Sequence, residues 1–126
     1  MAMQKLLTLV TATVLAVAPV FAHGEPEHGG QIVEVQEHQF ELVVEPEANG
    51  THLDFYISDP GDRPVSTATV KLQITAPDGR RIALPLRYAQ GHYTAMLPSG
   101  AKGEYRVVAL TDIGGRKLNS RFTFKL

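Results

Sequence analysis

The strongest constraint on the fold is a two-residue alternation of apolar and polar side chains that begins near Gln31 and continues to the C-terminus. A period of two places one set of side chains on one face of an extended strand, whereas a helix needs a period of 3.6. No segment offers helical spacing over ten residues. The alternating rows, together with a short strand at 32–35, are residues 40–44, 53–57, 70–74, 82–86, 93–97, 105–109 and 122–126. The pattern predicts an all-β domain of about seven to eight strands.

Turn-forming residues separate these rows at short intervals. Glycine and asparagine tolerate the positive φ that tight hairpins require, so such residues between two alternating rows predict antiparallel hairpins. The clearest are Asn49-Gly50, Pro77-Asp78-Gly79 and Gly114-Gly115. Short strands joined by close turns favour an immunoglobulin-like antiparallel β-sandwich over residues 31–126. A small barrel is the alternative architecture, because periodicity does not separate the two.

The N-terminal segment has the pattern of an export signal. One positive charge at Lys5 precedes residues 6–18, which carry no charge, and Pro19 and Ala22 follow. These 13 apolar and threonine residues are too short to cross a hydrocarbon core of about 30 Å as a helix. We therefore expect residues 1–22 to be a signal peptide and the protein to be periplasmic or secreted, with no membrane span after cleavage. An uncleaved membrane anchor is the alternative.

Cleavage at that bond leaves a chain that begins at His23. Residues 23–30 (HGEPEHGG) are rich in glycine, histidine and glutamate, and Pro26 interrupts them. This composition predicts a flexible arm ahead of the first strand.

Composition excludes several classes of function. The 12 lysines and arginines are matched by 13 aspartates and glutamates, so the chain has no basic surplus for nucleic-acid binding. The absence of cysteine excludes disulfides, zinc ribbons, iron–sulfur clusters and thiol catalysis. No serine lies in a nucleophile motif, and no helix is predicted to follow a phosphate-binding loop.

We therefore predict that the protein is not an enzyme. Copper monooxygenases that oxidise polysaccharides are the one enzymatic alternative, since they also begin with a histidine on an immunoglobulin-like core. They are usually larger and carry aromatic residues for their substrate, and aromatic residues make up only 7% of this chain.

All five histidines remain after cleavage, and His23 would then carry a free α-amine beside its imidazole. These two nitrogens can close one chelate ring on a metal ion, with Glu25, Glu27 and His28 within reach. Nitrogen and oxygen donors of this kind suit Cu(II), with Ni(II) and Zn(II) behind it. The alternative is that these residues are simply solvated.

For each of the remaining three histidines, considered alone, a structural role is the favoured interpretation. His38 shares the parity of the apolar residues that follow it, and Glu45 is expected to face His52 across the first hairpin. His92 is expected at the start of a strand, with Met96 on the same side. These histidines form a site only if the fold gathers them.

Four short segments carry a family resemblance: residues 28–33 (HGGQIV), 38–43 (HQFELV), 59–65 (DPGDRPV) and 121–124 (RFTF). In these segments the chain resembles small exported β-sandwich proteins related to FixH/YtkA-like domains and to periplasmic copper and heavy-metal resistance proteins. The resemblance implies a periplasmic role in copper or heavy-metal handling.

On that resemblance the candidate metal site is His28, His38 and Glu41, to which the cleavage argument adds His23. Methionine-rich Cu(I) motifs are absent, and Met96 is the one thioether left after cleavage. The expected site therefore binds copper in its oxidised state, Cu(II), through nitrogen and oxygen donors.

These observations predict a metal-binding protein that serves as buffer, chaperone or accessory to a heavy-metal efflux or metalloenzyme-assembly system. The alternative is a structural or interaction module of the cell envelope, whose edge strand or loops contact another envelope protein. In that alternative the histidines have no metal-binding role.

Overall fold

The computed structural model describes residues 26–126, which form an all-β domain. The predicted signal peptide, its cleavage site and His23 lie outside the described residues. The strands are β1 (Gln31–Val35), β2 (His38–Glu47), β3 (Gly50–Ser58), β4 (Thr69–Thr75), β5 (Arg81–Pro85), β6 (Arg87–Ala89), β7 (His92–Pro98), β8 (Glu104–Ile113) and β9 (Arg116–Lys125). Residues 26–126 contain no helix with the length and apolar character that a membrane span requires.

The strands form two antiparallel sheets that pack face to face. One sheet has the order β1-β2-β3-β7-β6, and the other has the order β5-β4-β8-β9. Without β1 and β5, the orders β2-β3-β7-β6 and β4-β8-β9 reproduce the A-B-E-D and C-F-G sheets of an immunoglobulin-like domain. The prediction of an antiparallel β-sandwich is confirmed.

The described residues contain nine strands because a short strand that the alternation did not predict, β6, follows the row at 82–86. Pro85 ends β5 and has no backbone N–H to donate to a neighbouring strand. The next residue, Leu86, donates its N–H to the carbonyl of Val70 at 3.0 Å. The chain then enters the other sheet, where β6 pairs with β7.

The core lies between the sheets and is built from the inward-facing row of each strand. Phe40 and Phe55 stack with ring centroids 5.7 Å apart, and Phe55 and Phe122 form a T-shaped pair with centroids 5.9 Å apart. Burying a side chain of this size stabilises the fold by about 1.5–3 kcal/mol. Because these residues alternate with outward-facing ones, core packing also determines which side chains of β2 and β3 face solvent.

The hairpins form where the turn residues predicted them. Gly114 (φ 59°) and Gly115 (φ 91°) make the two-residue turn between β8 and β9. In the β2–β3 hairpin the two turn residues are Ala48 and Asn49, and Gly50 opens β3. This register places Glu45 opposite His52, as the alternation predicted.

The connection between β3 and β4 is anchored by a buried tyrosine. The Tyr93 hydroxyl donates to the carbonyl of Val65 at 2.8 Å and accepts a hydrogen bond from the N–H of Ala68 at 3.1 Å. Burial of the ring raises the pKa of Tyr93. The side chain thus holds the crossover between the two sheets against β7.

Candidate functional site

The outer face of the five-stranded sheet gathers histidines and carboxylates from three adjacent strands. We call it the histidine face and define it by Glu41 of β2, by His52, Asp54 and Tyr56 of β3, and by His92 of β7. Residues two apart in one strand share a face, and the register of the paired strands sets which of them are neighbours. Glu41 lies opposite Tyr56, Asp54 opposite Thr94 and His52 opposite Met96.

The segment before β1 approaches this face closely because two of its residues are glycines. Gly29 has a positive φ of 77°. A Cβ on Gly30 would lie 2.3 Å from the carbonyl oxygen of Leu42, so only glycine permits this approach to β2. The described part of the predicted arm, residues 26–30, therefore brings His28 onto the histidine face.

Glu41 binds this segment through both carboxylate oxygens. Its Oε2 accepts hydrogen bonds from the backbone N–H groups of His28 at 3.0 Å and Gly30 at 2.7 Å. Its Oε1 lies 3.0 Å from Nδ1 of His28. Glu41 is 4% exposed, and within residues 26–126 its ion-pair partner is His28 rather than a lysine or arginine.

His28 is oriented by this contact. A carboxylate oxygen accepts, so the proton of the neutral ring lies on Nδ1 and the lone pair on Nε2. Within the described part of the chain, no hydrogen bond or ion pair engages Nε2 of His28. The side chain as a whole is 39% exposed.

Tyr56 connects His28 to the rest of the face. Its ring stacks on His28 with centroids 3.6 Å apart and planes 6° from parallel, and it also contacts His92 at 4.9 Å. Partial burial raises the pKa of Tyr56, and the charges of Asp54, Glu41 and Glu45 raise it further. The negative charges of these three carboxylates favour cations at this face.

A second cluster lies beside this stack. Oδ1 of Asp54 is 3.1 Å from Nε2 of His52 and 3.3 Å from Nε2 of His92. The same oxygen is buried, and neither contact has the alignment of a hydrogen bond. The hydrogen-bond partner of His52 Nε2 is instead the Thr94 hydroxyl at 2.8 Å.

The arrangement around His52 is not that of a nucleophile relay. In such a relay a hydroxyl and a carboxylate bind opposite nitrogens of the ring, whereas Thr94 and Asp54 approach the same nitrogen. Glu47 lies 3.6 Å from the other nitrogen, Nδ1, which is beyond hydrogen-bond range.

The structure brings together two of the four residues predicted to bind metal. His28 and Glu41 are in contact, whereas His38 lies on the opposite face of β2, where it is 6% exposed and its Nδ1 lies 3.2 Å from the carbonyl oxygen of Gln36. The separation follows from parity, because residues 38 and 41 are an odd number apart in one strand. His23 lies outside the described residues.

Asp54 is the residue that sequence reasoning missed. It belongs to no motif, and its carboxylate meets His92 only because β3 pairs with β7. The one available signal was its parity, which places it on the same face as His52 and Tyr56.

Within residues 26–126, no group of three or more histidine, aspartate or glutamate side chains is arranged so that it could hold a metal ion. No protein-family model, curated protein or solved structure matches the chain.

Proposed function

We propose that the protein is an exported metal-binding protein that takes up Cu(II) at the arm site, formed by His28, Glu41 and His23. The observation that carries the proposal is the contact between His28 and the buried carboxylate of Glu41. The proposed role is that of a buffer, chaperone or accessory for a heavy-metal efflux or metalloenzyme-assembly system in the periplasm.

Glu41 has a different role in this proposal from the one the resemblance implied. Imidazoles that bind metals commonly donate their second N–H to a carboxylate, which sets the tautomer and the ring orientation. The contact of Glu41 with Nδ1 of His28 has this form, and Nε2 is the nitrogen that would bind the ion. Glu41 is thus a positioning residue, and His28 supplies the ligand atom.

The remaining ligands would come from the mature N-terminus. His23 precedes His28 by five residues, a stretch of chain that spans at most about 18 Å when extended. Its α-amine and imidazole can therefore reach the same ion as His28. Three nitrogens suit the tetragonal preference of Cu(II), with Zn(II) and Ni(II) as weaker competitors.

Two features of the face support uptake and release. The carboxylates of Glu41, Asp54 and Glu45 give the face a negative potential, which increases the local concentration of cations. The partial exposure of His28 leaves the bound ion accessible to a partner protein that could take it over.

The test is a Cu(II) titration of the chain that begins at His23, with a competing chelator to measure affinity. Glu41→Gln removes the charge that orients His28 and is expected to weaken the site about 10- to 100-fold. The matched control is Glu45→Gln, which removes the same charge from the same face without a contact to His28. One extra alanine before His23 is also expected to weaken Cu(II) binding. The α-amine then belongs to another residue, so the chelate ring that it forms with the imidazole of His23 is lost.

Equal affinities for the wild type, Glu41→Gln and the extended chain would contradict the arm site. A wild-type chain with no stoichiometric Cu(II) binding would favour the alternative of a structural or interaction module of the cell envelope.

A further inference from the structure

We propose that His52, Asp54 and His92 form a second divalent-metal centre, which we call the sheet centre. It is built from β3 and β7 alone and requires neither the arm nor cleavage after residue 22. It is therefore a separate site from the one that carries the proposed function.

The first observation is the unsatisfied oxygen of Asp54. Oδ1 is buried and accepts no hydrogen bond, and within residues 26–126 no lysine or arginine forms an ion pair with this carboxylate. Buried carboxylate oxygens are normally paired with donors or bound to a cation. The nearest groups to this oxygen are the imidazoles of His52 and His92, and a bound metal ion would join all three.

The second observation is the distance from this oxygen to two imidazole nitrogens. Metal–nitrogen and metal–oxygen bonds near 2.0 Å in a tetrahedral site put neighbouring ligand atoms about 3.3 Å apart. Oδ1 of Asp54 lies 3.1 Å and 3.3 Å from Nε2 of His52 and His92. Two of the three ligand separations thus already have the values that one bound ion imposes.

The backbone holds these three residues at fixed positions. His52 and Asp54 are two apart on β3, and the register that pairs Asp54 with Thr94 places His92 on the adjacent strand. The side chains are 35%, 15% and 20% exposed for His52, Asp54 and His92, so an ion can enter from solvent.

A hydrogen bond between Thr94 and His52 means that the three residues do not yet have a metal-binding geometry. The Thr94 hydroxyl occupies Nε2 of His52 at 2.8 Å, and metal binding requires that hydrogen bond to break. As the side chains stand, no group of three or more histidine, aspartate or glutamate side chains within residues 26–126 could hold a metal ion, so the centre forms only after this change.

The donor set indicates the class of ion. Two imidazoles and one carboxylate with a fourth position open to water are a set used for Zn(II), and they also accept Cu(II). Hard ions such as Ca²⁺ and Mg²⁺ prefer oxygen ligands. The expected ligand is therefore a divalent transition-metal ion, for which Zn(II) serves as a diamagnetic probe.

The test is an NMR titration of the full mature chain with Zn(II), following the imidazole signals of each histidine. One equivalent bound at the sheet centre is expected to shift the signals of His52 and His92 together. Asp54→Asn is expected to weaken this binding by at least about tenfold. Glu45→Gln, which removes a charge opposite His52, and Met96→Leu, which changes the neighbour of His52 on β7, are the matched controls and are expected to keep it.

Thr94→Val separates a metal centre from a structural hydrogen-bond network. It removes the hydroxyl that competes for Nε2 of His52, so Zn(II) affinity is expected to stay equal or rise. A merely structural cluster would show no Zn(II)-dependent shift in either chain.

Two results would overturn the sheet centre: Zn(II) that shifts His28 but neither His52 nor His92, or equal affinity in the wild type and Asp54→Asn. Should Asp54→Asn fail to fold, His92→Gln provides the same comparison through the His52 signal. Glu41→Gln is expected to leave the sheet centre intact, so loss of the arm site and loss of the sheet centre are distinguishable.

Discussion

His28 lies flat on Tyr56, with ring centroids 3.6 Å apart and planes 6° from parallel. This contact brings a residue from the segment before β1 against the middle of the five-stranded sheet. Tyr56 also contacts His92, so the arm site and the sheet centre share one aromatic neighbour. The histidine face is therefore one continuous surface with two candidate metal positions.

The close approach at Gly30 gives the first prediction. Gly30→Ala would place a Cβ 2.3 Å from a backbone oxygen of Leu42, so the arm must move away from Glu41. Because His28 then loses its orienting carboxylate, Cu(II) affinity is expected to fall about tenfold or more, as measured by chelator competition.

The control for this variant is Gly115→Ala in the β8–β9 turn. Gly115 has a φ of 91°, so this substitution is expected to lower stability and to leave Cu(II) affinity unchanged. Equal Cu(II) affinity in Gly30→Ala and wild type would contradict the role of the close approach.

His38 provides a prediction that separates the two faces of β2. His38→Ala removes a buried ring that packs near Phe40, and the free energy of unfolding is expected to fall by about 1–3 kcal/mol. Cu(II) and Zn(II) affinities are expected to stay at wild-type values, because His38 faces away from both candidate centres. Denaturant unfolding measures the loss of stability, and metal titration measures the affinities. Weakened metal binding in a folded His38→Ala variant would contradict the placement of His38 away from both centres.

The alternation of inward and outward positions along each strand explains how much of the fold and of the candidate site could be predicted from the sequence. The alternation around Phe40 and Leu42 already indicates that His38 faces inward and Glu41 outward, and it predicts the sandwich and the pairing of Glu45 with His52. It carries no information on which distant strands become neighbours. The meeting of Asp54 with His92 depends on the β3–β7 pairing, and the docking of His28 depends on a close backbone approach at Gly30.

The anchor between the sheets gives a stability prediction with a pH dependence. Tyr93→Phe removes two hydrogen bonds to the β3–β4 connection and is expected to lower the free energy of unfolding by about 1–2 kcal/mol. Because folding raises the pKa of Tyr93, the protonated phenol is favoured in the folded state. The contribution of the tyrosine is therefore fully present below pH ~10, its unfolded pKa, and is lost as pH rises through the higher folded pKa.

Denaturant unfolding across this pH range should therefore show a steeper loss of stability for the wild type than for Tyr93→Phe. Tyr88→Phe is the matched control, since Tyr88 is 41% exposed and is expected to change stability little. Parallel pH profiles for the wild type and Tyr93→Phe would contradict the anchor.

The central claim is that His28, oriented by Glu41, binds Cu(II) together with the mature N-terminus. Pulsed electron paramagnetic resonance counts the imidazoles on a bound Cu(II) and tests this claim most directly. The chain is prepared from His23 with one equivalent of Cu(II) and with Asp54→Asn, so that the sheet centre does not compete. The predicted result is two coordinated imidazoles, reduced to one by His28→Gln. The same number of imidazoles with and without His28→Gln would contradict the account.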